Sequence, residues 1–268
     1  MDCFQRQRGG DAHLASIVAA AGTPGRAGGD LTIRGGASVE LRLLCGFDLR
    51  AAGQRMRLPL SGQRVVAFLA LHDQPVQRLY VAGSLWLDAP EERASARLRT
   101  ALWRLRQPQC CIVEATTTHL SLAPDIAVDV RDAVAAARRA LRVGTVPDDP
   151  EVEELCLAGE LLPDWYEDWV LIERERFRVL RLEALEAIAA ELAGAGRYAA
   201  AAETALAAVA GEPLRESAHR VLIGVHIAQG NWFDALRQYR FYRDLVRKQL
   251  GLEPSPEMEQ LVQPLRPR

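Results

Sequence analysis

The chain has 268 residues, a formal net charge of −2, 49% hydrophobic residues and 25% charged residues. This composition excludes a disordered or collagen-like chain, and the length suits two modest domains better than one. No apolar run approaches the roughly 18 residues that a membrane helix needs, and Leu14–Ala21, crowded by Asp11 and His13, is too short for a signal peptide. A cytoplasmic protein without membrane contact is expected. All but Lys248 of the 33 cationic residues are arginine. A GC-rich coding sequence accounts for that bias, and arginine also forks onto phosphate and guanine better than lysine does.

Charge is unevenly distributed. Residues 1–38 carry net +1, residues 39–130 net +2 and residues 131–268 net −5. The first segment is rich in Gly and Ala without a sustained period and reads as a disordered or dispensable tail. Regular structure is predicted from Val39, where Val39, Leu41 and Leu43 alternate with Glu40 and Arg42 as a strand with one buried face. Phe47–Arg50 and Met56–Leu58 read as short strands around a turn at Ala52-Gly53. Ser61 is placed to cap a helix over Gln63–His72, whose apolar side is Val65, Val66, Phe68, Leu69 and Leu71. A short strand near Gln77–Leu79 precedes a helix over Tyr80–Leu87, stopped by Asp88-Ala89-Pro90. A third helix runs from Glu91 or Glu92 to Arg106 and ends before Pro108. Cys110–Glu114 and His119–Leu122 then alternate around Thr116-Thr117-Thr118 as a β-hairpin. Sheet, three helices and hairpin make a winged helix-turn-helix domain over residues 39–130.

From Asp129 the pattern is helical, broken at Pro147–Pro150. Gly196-Arg197-Tyr198 recurs as Gly230-Asn231-Trp232, and Ala201 as Ala235, at an offset of 34 residues. That is the tetratricopeptide period, in which small residues let paired helices approach and the aromatic after the turn fills the gap between them. The fold class is therefore mainly α with a small β part, a winged helix followed by an all-α, tetratricopeptide-like domain over residues 131–268. The aromatic group Trp232, Phe233, Tyr239, Phe241 and Tyr242 is assigned chiefly to its core.

The third helix carries the functional signal. At about 100° per residue, Ala94, Leu98, Ala101, Leu102 and Leu105 form one apolar stripe. Arg93, Arg97, Arg99, Thr100, Trp103, Arg104 and Arg106 occupy the rest, without an acid between Arg93 and Arg106. Glu91 and Glu92 sit at the N-terminus, where the helix dipole favours them. In its helix-turn-helix context this is a recognition helix for the major groove of double-stranded DNA. Arg97, Arg99 and Thr100 are the expected base readers and Arg104 and Arg106 the phosphate contacts. Trp103 either stacks on the duplex or packs on the wing, with packing preferred. Thr117 and Thr118 at the hairpin tip, and Gln63 and Arg64 at the start of the first helix, are further candidate DNA contacts.

Other chemistry finds no support. The cysteines Cys3, Cys45, Cys110, Cys111 and Cys156 are odd in number and include no C-x-x-C pair; they are expected as small buried hydrophobes. Asp164, Glu167 and Asp168 lie among Trp165, Tyr166 and Trp169 where a loop enters a helix, so the acids cap and the tryptophans pack. His219 and His226 lack the further ligands of a metal site. There is no G-x-S-x-G, H-E-x-x-H or G-x-x-x-x-G-K-[ST] motif. No catalytic, cofactor-binding or metal-binding residue is expected, and the chain is not read as an enzyme.

Six stretches, Val39–Leu44, Ser61–His72, Leu98–Arg106, Leu161–Trp165, Trp169–Arg176 and Glu212–Arg220, resemble the SARP family of bacterial transcriptional activators in the family's order. The likeness spans about Val39–Glu257. It implies an OmpR-type winged helix followed by a tetratricopeptide-like bacterial transcriptional activator domain, here in a short stand-alone form. It also implies protomers side by side as a homodimer on direct repeats. The promoters would belong to clusters for antibiotic and other secondary-metabolite biosynthesis, and RNA polymerase holoenzyme would be recruited through its sigma factor. Arg97, Arg99, Thr100, Trp103, Arg104 and Arg106 lie on the matching recognition helix. The competing expectation is a tetratricopeptide-type adaptor that binds protein and reads no DNA sequence.

Overall fold

The computed structural model of the protein describes residues 39–106, 111–142 and 149–265. Strand β1 (Val39–Arg42) pairs antiparallel with β2 (Asp48–Ala51), and β2 pairs with the two-residue β3 (Gln54–Arg55). Val39 and Leu41 are buried and Glu40 and Arg42 exposed, as the alternation requires. The β2–β3 turn is at Ala52-Gly53, both with positive φ (48° and 76°), the conformation a two-residue hairpin turn demands. Met56–Leu58 is not a strand. Only the Met56 N–H still reaches back, to the Leu49 carbonyl at 2.8 Å, before the chain leaves the sheet to bury Leu58 ahead of Pro59.

Helix α1 (Leu60–Ala70) starts earlier than expected. Its N-cap is Pro59, so Ser61 lies inside the first turn and caps nothing. Gly62 faces helix α3 (Glu91–Leu105), and a Cβ there would sit 3.0 Å from Leu105 Cδ2. Between them, β4 (Val76–Gln77) leads directly into α2 (Arg78–Leu85). Strands β5 (Val113–Ala115) and β6 (His119–Leu122) form the wing hairpin and take β4 as a third strand, in the order β4-β6-β5. A strand not anticipated, β7 (Ile126–Val128), runs parallel to β1 and completes a sheet of order β3-β2-β1-β7.

Helix α4 (Asp129–Ala140) follows β7 without a break, so a boundary at residue 130 falls inside it. The Asp129 carboxylate accepts N–H bonds from Leu43 (2.9 Å), Leu44 (3.0 Å) and its neighbour Val130 (2.7 Å), tying the end of β1 to the start of α4. Helices α5 (Asp149–Leu157), α6 (Asp168–Gly194), α7 (Tyr198–Gly211), α8 (Glu216–Ala228), α9 (Trp232–Leu250) and α10 (Pro256–Val262) complete the chain, with one 3-10 turn over Gln263–Leu265. Pro150 stands in the first turn of α5, where its missing N–H is harmless. The tail, Pro108, Cys110 and Pro147 lie outside the described residues.

The 34-residue repeat is present in the backbone. Gly196 and Gly230 adopt φ of 76° and 81°. The next residues, Arg197 and Asn231, donate to Leu192 and His226 at 2.9 and 2.8 Å, so the same C-terminal cap ends α6 and α8. Ala201 and Ala235 are both fully buried. The aromatics differ from expectation. Tyr198 is half-buried, whereas Trp232, Phe233 and Phe241 are 62%, 74% and 54% exposed; only Tyr239 and Tyr242 of that group enter the core. Helix α9 packs chiefly on α8, with a smaller contact to α10, and the rings of Trp232, Phe233 and Phe241 lie on its solvent side. The cysteines also depart from expectation: Cys45 and Cys111 are exposed and Cys156 is half-buried. Cys45 is held in a left-handed turn (φ 67°) just after β1, where its N–H donates to the Glu160 carbonyl.

His219 is fully buried on α8, one ring nitrogen 2.9 Å from the Pro213 carbonyl and the other 2.8 Å from the Gln238 amide. Burial pushes its pKa below the ordinary 6.5, against the opposing pull of the Pro213 carbonyl and Glu216. The folded chain therefore binds fewer protons than the unfolded chain, and the stability from neutral His219 is present above the ordinary pKa and lost as pH falls through the depressed one. Thermal unfolding should shift downward as pH falls below the ordinary histidine range, about 6.5, in the wild type and less so in His219→Gln. Equal shifts in both would remove His219 as the cause.

Candidate nucleic-acid interface

Helix α3 has no β-branched run and opens on Pro90 with Glu91 and Glu92 in its first turn, where carboxylates complement the helix dipole. Ala94, Leu98, Ala101 and Leu105 are buried and Leu102 half-buried, so the apolar stripe packs as its spacing dictates. The opposite side is open: Arg93, Arg97, Arg99, Thr100, Trp103 and Arg104 are exposed, as is Arg106 at the C-cap. Among the described residues no carboxylate pairs with these five arginines. Helical spacing puts Arg93, Arg97 and Arg104 within about 40° of one another on one flank, with Arg99 and Arg106 on the other and Trp103 between. Trp103 is 70% exposed and does not pack on the wing; its position, opposite the buried stripe, takes it away from the protein. The Thr100 hydroxyl donates to the Ala96 carbonyl at 3.0 Å, leaving its oxygen as an acceptor.

The wing is held rigidly beside this helix. Thr116 Oγ1 accepts from the N–H groups of Thr118 (3.3 Å) and His119 (2.9 Å), closing the hairpin tip. Arg78, the first residue of α2, clamps the tip from below: its N–H donates to the Thr118 carbonyl (2.9 Å) and its Nη1 to the Thr116 carbonyl (3.0 Å). A cleft of about 520 Å³ between helix and wing brings Arg99 together with Thr117 and Thr118, with Arg78, Ser95 and His119 on its walls. Nothing in the sequence around Arg78 or Ser95 marks them for this cleft. A partner 38 residues away in the chain leaves no local signature.

Two expected contacts are not brought to this face. Gln63 Nε2 donates to the Leu58 carbonyl at 2.8 Å. Arg64 donates to the Leu85 carbonyl at 2.7 Å and lies 3.0 Å from Glu167 Oε1. The start of α1 is turned toward the following helices, so Arg64 clasps the segment before α6 instead of reaching outward. Glu167 is thereby accounted for as an ion-pair partner. Trp165 stacks on Phe47 at 6.1 Å and Trp169 meets Phe68 edge-on at 5.2 Å, the packing expected of them. Among the described residues no helix is long and apolar enough to cross a membrane.

Comparison with known proteins agrees with this architecture. The family described as the bacterial transcriptional activator domain matches residues 127–266. The regulatory protein AfsR of Streptomyces coelicolor is 27% identical over 189 residues, covering 67% of this chain and 19% of AfsR, so the chain spans about a fifth of that relative's length. The solved structure of Mycobacterium tuberculosis EmbR, in complex with a low affinity phosphopeptide, superposes with a TM-score of 0.68 at 20% identity over 85% of this chain and 65% of that one. That likeness is one of fold: a winged helix followed by an α domain. The family match opens on the second residue of β7 and takes in every helix from α4 to α10, more than half of the chain. The protein belongs to the family described as the bacterial transcriptional activator domain.

Proposed function

We propose that the protein is a sequence-specific DNA-binding activator that inserts α3 into the major groove. The observation that carries this reading is the outer face of α3, where five arginines and Trp103 stand exposed, unpaired with any carboxylate among the described residues, beside a braced wing. A solvated basic face on a scaffold needs no such neighbour. In this reading Arg99 and Thr100 read base edges, Arg97 joins Arg93 and Arg104 on the flank that meets phosphates, and Trp103 stacks on sugar or thymine methyl groups. Arg106, Thr117 and Thr118 contact the backbone next to the wing. Residues 39–130 form the reading half and residues 131–268 the half that pairs protomers on direct repeats and meets RNA polymerase and its sigma factor. Exposed Trp232, Phe233 and Phe241 supply apolar surface for such contacts. The family resemblance supports promoters of secondary-metabolite clusters as the targets and a cytoplasmic location.

The test is a footprint on DNA flanking the protein's own gene, followed by titration of the protected duplex and a scrambled one at several salt concentrations. A protected repeat with a clear preference over scrambled duplex is expected. Arg104→Ala should weaken both duplexes alike and lower the slope of log K against log salt by about 1. Absence of any preference would favour the adaptor reading, in which the α9 aromatics bind protein alone.

A further inference from the structure

We propose that the cleft between the end of α1 and helices α4 and α6 is a binding site for a small amphipathic organic anion. The cleft measures about 1020 Å³, at the upper end of the roughly 300–1,000 Å³ that ligand pockets occupy. It lies where the winged helix meets the helical half, and its walls come from both. Tyr80 of α2, Val134 of α4, and Phe177 and Leu180 of α6 make it apolar in its interior. Close by, the contact between the two halves is filled with aromatic rings at Phe68, Trp165 and Trp169. Here the same contact opens instead, and Tyr80 stays 58% exposed.

The charges on its walls favour a negative head group. Three guanidinium groups, from Arg131, Arg138 and Arg176, face two carboxylates, from Asp73 and Glu173. Glu173 is taken by Arg176 at 2.6 Å. Arg131 is satisfied by carbonyls only, those of Ala70 (2.8 Å), Leu69 (3.2 Å) and His72 (2.9 Å), so its charge is not neutralised. Arg138 follows it by two helical turns on the same side of α4, is exposed, and has no partner among the described residues. Asp73 stands in the loop after α1. The result is an apolar cavity with a surplus of positive charge and one uncommitted guanidinium. A carboxylate, sulfonate or phosphate ester on an aliphatic or aromatic body matches it. Its first wall runs through β4, which is hydrogen-bonded to the wing strand β6.

The full chain should bind anilinonaphthalene sulfonate saturably, with a rise in fluorescence, and decanoate should displace the dye far better than decanol. Arg138→Ala should weaken both anions about tenfold, the worth of one charge-assisted contact, with Arg138→Lys recovering part of the loss. Val134→Trp, which fills the cavity from α4, should abolish the binding. Arg138 is exposed, so its variants keep the fold even where Val134→Trp does not. Unchanged dye affinity in Arg138→Ala, equal displacement by decanol and decanoate, or no saturable binding of either probe would overturn the proposal. The measurement uses no DNA, so its failure leaves the DNA-binding reading standing, and the reverse holds as well.

Discussion

Replacing Arg99 by alanine is expected to weaken binding to the cognate duplex by about 1–3 kcal/mol and to leave weak binding to random duplex nearly unchanged. Arg99 lines the cleft between α3 and the wing together with Thr117 and Thr118, and among the described residues no carboxylate pairs with it. A guanidinium so placed can fork onto the O6 and N7 atoms of guanine, and that geometry carries the discrimination. Arg99→Lys should recover only part of the loss, because a single ammonium cannot reproduce the fork. Titration of labelled cognate and scrambled duplexes in parallel separates the outcomes. Equal losses on both duplexes would make Arg99 a phosphate contact, and sequence reading would then fall to Thr100 and Trp103. Arg64→Ala supplies the contrast: committed to the Leu85 carbonyl and Glu167, it should alter stability before it alters DNA affinity.

Asp129→Ala is expected to destabilise the fold by about 2–3 kcal/mol, or roughly 5–10 °C in Tm. The carboxylate accepts three backbone N–H groups, from Leu43, Leu44 and Val130, and alanine would leave them without a partner. Two of these groups belong to a strand end 86 and 85 residues away in the chain, so the loss strikes the junction of β1 with α4. Beside it, Leu44 bridges to Leu161 and the Leu162 N–H donates to the Leu43 carbonyl at 2.9 Å, so the same strand end also holds the segment before α6. Burial raises the Asp129 pKa above its ordinary value even though the N–H donors and Arg42 pull it down. That desolvation offsets part of the gain and keeps the expected loss well below the sum of three bonds. Asp129→Asn retains one acceptor oxygen and should lie between wild type and alanine. An alanine variant that melts with the wild type would show that water takes over the three donors without loss.

Secondary structure was legible wherever a periodic apolar pattern met a clear stop. Helix α3 was readable from its stripe and from Pro90, the wing from its alternation, and the repeat from two Gly-x-aromatic turns 34 residues apart. Strand β7 has no legible signal, because three residues are too few to show a period and its pairing with β1 is a contact across the whole winged helix. Ser61 carries a capping side chain, but Pro59, two residues earlier, sets the start of α1.

The sequence by itself determined that one helix would be basic on its outer side, that it would stand between a helix-turn-helix and a hairpin, and that a helical repeat would follow. Those properties depend on local spacing, and local spacing is what a helix or strand period reports. Only the tertiary structure decided which cationic and aromatic groups are free to act. Arg64 and Arg99 are both candidate contacts in the sequence, yet one is held by a carbonyl and a carboxylate from distant segments while the other faces solvent. Trp169 and Trp232 are equally apolar, yet one is packed against Phe68 and the other lies 62% exposed at the start of α9. Availability is a property of what the rest of the chain brings alongside, and long-range contacts of that kind leave no period to read.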